Sequence, residues 1–318
     1  MMKLKNENIS DINELKNIYT KERKFIKDSF FLNYSGIKNN KQNSNLIDKI
    51  IKKIFFIQKG KNKRNFEKFC ITAVGGYGRR QLAPYSDIDL LFIYDSKNLE
   101  TIEKIVKEFL YPLWDLGLKV GYAVRSLKES IIFSEKDQII KTTMLDVRLI
   151  CGSKNLFDKL LLNFFKKIKE RTREFINEKI KEREHRIKAI GFDYFKNEPN
   201  LKGSEGSLRD LNLINWCLKI LAISNYNNVN ATDKLITNNE KRKIESGLEF
   251  LLTLRSHLHY ESGRLNDKLT FDYQKIIAEK FSTKQKNSPD RGGAILIPGA
   301  DVARGNDLVE EVVGFGGV

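Results

Sequence analysis

Apolar residues recur at helical intervals through the first sixty positions. Ile12, Leu15, Ile18, Tyr19, Phe25 and Ile26 predict a helix over residues 10–32, with Ser10 as its N-cap. A polar loop, GIKNNKQNS at 36–44, separates it from a second predicted helix. That helix has Ser44 as cap and Leu46, Ile47, Ile50, Ile51, Ile54 and Phe55 on its buried face. The pattern then shortens. Apolar runs at 68–74 and 88–94 predict two strands, and Ile102, Ile105, Val106, Phe109 and Leu113 restore helical spacing over 99–116. LKVGYAVR at 118–125 predicts a third strand, while the short apolar stretch 142–150 fits either state. From residue 153 onward the pattern is helical, interrupted by NEPNLKGSEGS at 197–207. A mixed sheet with helices, followed by a helical region, makes this an α+β chain.

The chemistry concentrates between the first two strands, in ITAVGGYGRRQLAPYSDIDLLFIY at 71–94. Alternate side chains of a strand share a face, so Asp87 and Asp89 point one way and Ile88 and Leu90 point into a core. Two carboxylates about 6–7 Å apart along a strand suit a hard divalent cation. The Gly75-Gly76 pair lets a backbone loop press against phosphates with N–H groups as donors. Taken singly, a Gly-Gly is usually a turn and an Asp-x-Asp a solvated strand end. Their order, with ten residues between Gly76 and Asp87 and an apolar strand on each side, points to metal-dependent phosphoryl or nucleotidyl transfer.

That spacing resembles the DNA polymerase beta nucleotidyltransferase superfamily. Four ordered blocks are similar to the bacterial PII uridylyltransferases, the uridylyltransferase/uridylyl-removing enzymes. They are GGYGRRQLAPYSDIDLLF at 75–92, LYPLWDLGLKVGYAVRSL at 110–127, NEPNLKGSEGSLRDLNLINW at 197–216 and LRSHLHYESGRLNDKLTFDYQ at 254–274. The resemblance covers residues 40–280. It implies a polymerase-beta-like nucleotidyltransferase mixed sheet followed by an all-helical domain, with the nucleotide between the two. The expected division is a helical segment at 1–66, the nucleotidyltransferase domain at 67–152, a helical nucleotide- or substrate-binding domain at 153–286, and a Gly-rich tail at 287–318.

The resemblance also implies an activity: transfer of UMP from UTP to a tyrosine of the PII nitrogen-regulatory protein by a two-metal mechanism, with Mg²⁺ or alternatively Mn²⁺. A transferase with another nucleotide, such as an adenylyl donor, and a non-catalytic remnant binding nucleotide or PII are the alternatives. Asp87 and Asp89 become the catalytic pair and metal ligands. Gly75, Gly76 and Ser86 contact the β- and γ-phosphates. Of the flanking arginines, Arg79 is nearer the glycines than Arg80. Lys202 and Arg209 face the nucleotide, and Asp210 either joins them or caps its helix. Ser207 stands where the family pattern has a second glycine. The third carboxylate of many superfamily members has no counterpart in LKVGYAVR. Asp146 is the nearest acid in an apolar setting, as a metal ligand or as a partner of Arg148.

His185, His257 and His259 lack the spacing of a shared site. The family's uridylyl-removing activity resides in a His-Asp domain that would follow residue 280. That domain and the glutamine-sensing domains are therefore expected to be missing.

Charge and composition change this picture little. The net charge of +16 would ordinarily suggest nucleic acid, yet the excess is mainly Lys scattered among Asn and Ile. The basic clusters at 49–68 and 165–188 read as solvated helix faces, so no nucleic-acid partner is expected. No apolar run approaches 18 residues and MMKLKNENIS is no apolar leader, so no membrane is expected and a cytoplasmic setting is. Cys70, Cys151 and Cys217, without Cys-x-x-Cys spacing, read as buried thiols. The last 32 residues hold seven glycines, no Lys and a charge of −3, which sets them apart from the enzyme pattern.

Overall fold

A computed structural model of the protein describes residues 12–61, 66–96, 98–190, 197–224 and 235–286. Ser10 and the tail 287–318 lie outside the described residues. Two compact units divide the chain, one of Met1–Tyr34 with Lys38–Lys167, the other of Ser35–Ile37 with Ile168–Val318.

The first unit is built on a four-stranded sheet. Its strands are β1 (Phe69–Ala73), β2 (Ile88–Tyr94), β3 (Val120–Ser126) and β4 (Arg148–Gly152), in the order β3-β2-β1-β4. β1 is antiparallel to both neighbours, and β2 runs parallel to β3. A parallel pair needs a long crossover. Here it is α4 (Leu99–Asp115), started by Asn98, whose side chain accepts from the Thr101 amide. All five β1 residues are buried, as are six of seven in β2.

Helices α1 (Ile12–Asn33), α2 (Gly36–Lys61) and α4 contribute Leu15, Ile50, Ile51, Phe55 and Phe109 to one core with Ile71 and Phe92 of the sheet. Short helices complete the connections: α3 (Gly75–Gly78), α5 (Leu127–Lys136) and α6 (Gln138–Leu145). The stretch 142–150 is thus both states in succession, the end of α6 and then β4. α7 (Lys154–Lys169) leads towards the second unit, which holds α8 (Thr172–Ile190), α9 (Leu208–Ser224), α10 (Asn238–Ser262) and α11 (Phe271–Lys286).

One local expectation fails. Residues 36–44 are not a loop, and Ser44 is not a cap, because α2 begins at Gly36. Its opening amides find distant acceptors: Gly36 N–H donates to Glu249 and Thr253 Oγ1 and Ile37 N–H to the other Glu249 oxygen, all within the second unit. Ser44, fully buried, donates back to the Asn40 carbonyl at 2.8 Å.

The basic cluster 165–188 also departs from a solvated face. Arg183 and Arg186 of α8 are largely buried and both bond Asp210. Lys179 is 4% exposed and paired with Glu182.

In the second unit, Leu201, Leu254, Leu258, Leu269 and Ile277 form the core. Beside it Arg255 and His259 converge on Asp267, at 2.7 and 3.4 Å. Burial alone would raise the Asp267 carboxyl, but the His259 hydrogen bond and the Arg255 charge hold it well below its usual range. Burial keeps the His259 imidazole below its usual 6.5. Between those two values the unfolded chain binds the histidine proton and the native chain does not, so stability falls as pH drops below 6.5. Protonation of Asp267 extends the loss below 3.8. Thermal unfolding followed from pH 8 to 4 is expected to show a falling midpoint below pH 6.5, and His259→Gln is expected to flatten that first segment. A His259→Gln profile parallel to wild type between pH 6.5 and 5 would refute the assignment.

Candidate active site

The site forms where β1 turns back towards β2. Ladder pairing continues past Ala73, since Val74 N–H donates to the Asp89 carbonyl at 3.1 Å. The chain then enters α3, whose first residue, Gly75, adopts a left-handed φ of +57° that an L side chain rarely takes. The amides of Gly75, Gly76 and Tyr77 belong to a first helical turn and have no partner inside it. Turn closure comes later, from Gly78 N–H to the Val74 carbonyl and Gln81 N–H to the Gly76 carbonyl.

Asp89 is the one exposed residue of β2, and Asp87 is exposed immediately before the strand. Two glycines flank the Asp89 carboxylate. A Cβ on Gly75 would lie 3.4 Å from Oδ2. A Cβ on Gly121, its register partner in β3, would lie 2.8 Å from Oδ1. In its present rotamer the carboxylate leaves no room for a side chain at Gly121, whereas at Gly75 a Cβ would be in ordinary contact and it is the positive φ that favours glycine. Gly121 was not singled out from sequence, although a glycine inside a strand signals close approach of another group.

Ser86 adds a further feature. Its Oγ is buried and has no hydrogen-bond partner among the described residues, and such orphans call for an explanation.

The arginines behave differently. Arg79 pairs with Asp146 and bonds Gln81 Oε1 at 3.0 Å. Asp146 is buried, and its partner is Arg79 rather than the expected Arg148, which instead takes Asp48 in a two-pronged bond. The exchange is a consequence of topology, since β4 begins beside Ala73 and carries Arg148 to the far end of the glycine turn. Arg80 also has a positive φ, +60°, and its side chain reaches Asn45 and Asp48 of α2.

In the second unit, Lys202 and Arg209 are exposed and form no ion pair among the described residues. The loop before α9 is tied to them, Arg209 N–H donating to the Lys202 carbonyl and Ser207 Oγ to the same oxygen at 2.8 Å. Ser207 fits the loop without positive φ, which Gly206 supplies at +69°. Asp210 is not only a first-turn acid. It accepts from Gly206 N–H at 2.7 Å and neutralises Arg183 and Arg186, holding the loop on α8.

Among the described residues no group of three or more His, Cys, Asp and Glu could hold a metal ion. Two exposed carboxylates remain, Asp87 and Asp89, which is the donor set for Mg²⁺, an ion that takes one or two carboxylates and completes its shell with phosphate and water. The residues fit such an ion.

Two sequence profiles match the chain. The profile of the nucleotidyltransferase domain covers residues 57–147, which include the glycine turn, Ser86, Asp87, Asp89 and Asp146. The profile of GlnD PII-uridylyltransferase covers residues 174–292. The chain is similar, over these two stretches, to the nucleotidyltransferase and PII-uridylyltransferase families. Its relatives include bifunctional uridylyltransferase/uridylyl-removing enzymes from Azospirillum brasilense, 40% identical over 69% of this chain and 24% of the relative, and from Phenylobacterium zucineum, 34% identical over 89% and 30%. One from Caulobacter vibrioides is 33% identical over 83% of this chain and 28% of its own length. The chain thus spans less than a third of the length of these relatives. The fold carries what the family profile implies, a mixed sheet with helices and a further helical unit.

Outside the site, the thiols are inert. Cys70 and Cys217 are buried, Cys151 is half-buried and none is in a disulfide. Burial pushes the Cys70 and Cys217 thiols up to about 12. Among the described residues no helix is long and apolar enough to cross a membrane.

Proposed function

We propose that this nucleotidyltransferase domain moves UMP from UTP to a tyrosine hydroxyl of the PII signalling protein, in the cytoplasm. The observation that carries the reading is Asp89, the single exposed carboxylate of a buried strand, framed by Gly75 and Gly121 and following Asp87 by two residues. Asp87 and Asp89 would hold Mg²⁺, which would supply neutralisation of the negative charge that builds up during transfer. The acceptor hydroxyl gives up its proton to solvent and its oxygen bonds to the α-phosphorus, as the bond to the bridging oxygen breaks and pyrophosphate leaves. The chain's own part is to bind and orient. Amides of Gly75 and Gly76 donate to the β- and γ-phosphates, and the orphan Ser86 hydroxyl gains an acceptor there. Arg79, already neutralised by Asp146, supports the turn more than it supplies charge. Lys202 and Arg209, both exposed, are further proposed nucleotide contacts. Base choice and the PII acceptor rest on the relatives' names, which read uridylyltransferase and PII-uridylyltransferase.

Purified chain incubated with each α-labelled nucleoside triphosphate, Mg²⁺ and PII provides the test. Label moving to PII from UTP alone is the expected result. Transfer from ATP instead, or binding without transfer, would replace this reading with another transferase or a binding remnant.

The three glycines of the turn separate fold from ligand. A Cβ on Gly78 would sit 2.1 Å from the Asp146 carbonyl oxygen, and one on Gly75 would be strained. A Cβ on Gly76 would meet only Gln81 and Arg79 atoms at ordinary distance, 3.7 and 4.0 Å. Gly76→Ala is therefore expected to keep the wild-type melting temperature while lowering kcat/KM for UTP by about tenfold, through obstructed phosphate approach. Unchanged kinetics in Gly76→Ala would place the phosphates elsewhere.

A further inference from the structure

Asp48 lies in the apolar stripe of α2, between Ile47 and Ile50, and is 6% exposed. A carboxylate there is costly unless fully paired. Its partners come from the glycine turn and the strand beside it. Tyr77 of α3 donates its hydroxyl to Oδ1 at 2.7 Å. Arg148 of β4 donates to Oδ2 at 2.7 Å and to Oδ1 at 3.0 Å. Arg80, at the exit of the turn, brings its guanidinium to 3.5 Å from Oδ2. Burial, and then the neighbouring Asp48 charge, raise the Tyr77 hydroxyl well above its usual range, so it remains a donor.

Arg148 also reaches the turn directly. Its remaining N–H groups donate to the Tyr77 and Gly78 carbonyls, both at 3.3 Å. In a helical turn the C=O groups point one way along the axis and the N–H groups the other. Holding the carbonyls of Tyr77 and Gly78 on Arg148 therefore anchors the far end of the short turn that carries the Gly75 and Gly76 amides. Asp48 in turn fixes Arg148, with a two-pronged bond of defined geometry. A buried ion pair contributes little to stability compared with apolar residues of the same volume. What it supplies here is orientation, at the turn where the backbone is least regular: Gly75 and Arg80, five residues apart, both have positive φ.

We propose that Asp48 is a positioning residue for nucleotide binding: acting through Arg148 and Tyr77, it aims the amides of the Gly75-Gly76 turn at the triphosphate. The inference rests on the phosphate-binding reading of that turn given above, and it assigns a role to a helix that carries none of the proposed ligands.

The test compares wild type, Asp48→Asn and Tyr77→Phe, each as the full chain, at a temperature where circular dichroism shows all of them folded. The Kd for UTP with Mg²⁺ is measured by equilibrium dialysis, alongside KM and kcat for transfer to PII. Asp48→Asn is expected to raise Kd and KM by about tenfold, as misplaced binding groups do, while kcat falls by a smaller factor. Tyr77→Phe keeps the Asp48–Arg148 pair and is expected to raise Kd by about threefold, a partial loss of the same orientation. A merely structural role would lower the melting temperature and the active fraction but leave the Kd and KM of the native molecules unchanged. A folded Asp48→Asn with wild-type Kd overturns the proposal. Where Asp48→Asn does not fold, a wild-type Kd in Tyr77→Phe overturns it. Wild-type chain that binds no UTP would instead overturn the reading of the turn itself, before any variant is compared.

Discussion

Asp89→Asn and Asp87→Asn are each expected to lower nucleotide transfer at least about a hundredfold, roughly 2.7 kcal/mol of transition-state stabilisation, and to leave the fold intact. The expected effect is this large because either substitution removes a full negative charge from a two-carboxylate site. Among the described residues no third His, Cys, Asp or Glu stands by to compensate. The fold should survive because both side chains are exposed, and substitutions at exposed positions usually change stability by no more than about 0.5 kcal/mol. Asp89 is expected to be the more sensitive of the two, since a Cβ on Gly121, its register partner, would lie 2.8 Å from its carboxylate. Initial rates with UTP, Mg²⁺ and PII, read beside urea unfolding curves, provide the check. A variant that keeps more than about a tenth of the wild-type rate has lost less than ~1.4 kcal/mol, and its residue then lies outside the reacting centre.

The second large effect is on stability. Asp146→Ala removes the partner of Arg79, whose side chain is 14% exposed against 1% for Asp146. A guanidinium left buried without its carboxylate costs about 3 kcal/mol or more. The variant should therefore unfold at distinctly lower urea concentration and lose activity in proportion to its unfolded fraction. This outcome separates the two roles open to Asp146. A third metal ligand would show the opposite pattern, with transfer abolished at near-wild-type stability. Unchanged urea unfolding in Asp146→Ala would sink the structural assignment and return the residue to the candidate ligands.

Much of the architecture was legible along the chain. Short apolar runs located β1 and β2, which are buried on both faces, and period-3.6 spacing located α4, which buries one apolar face; burial of that kind is written locally. Strand alternation put Asp87 and Asp89 on one face, and both are exposed at the start of β2. It failed at 36–44, where polar residues begin α2. The helix start there depends on Glu249 and Thr253, more than two hundred residues away, and no local cap announces it. It also failed to resolve 142–150, where one apolar run serves a helix end and then a strand.

The pairing of charges was the least legible part. Sequence proximity suggested Asp146 with Arg148, and the fold crosses the pairs instead, Arg79 with Asp146 and Arg148 with Asp48. An ion pair is chosen by distance in space, and β4 reaches the glycine turn only because it adds to the sheet beside β1. Gly121 was silent for the same reason, its meaning arising only when β3 aligns it with Asp89. The sequence by itself thus determined most of the elements and which residues are candidates for chemistry, since both follow from side-chain type and local spacing. Tertiary structure alone decided which of those residues are held by others, because that depends on strand order and register.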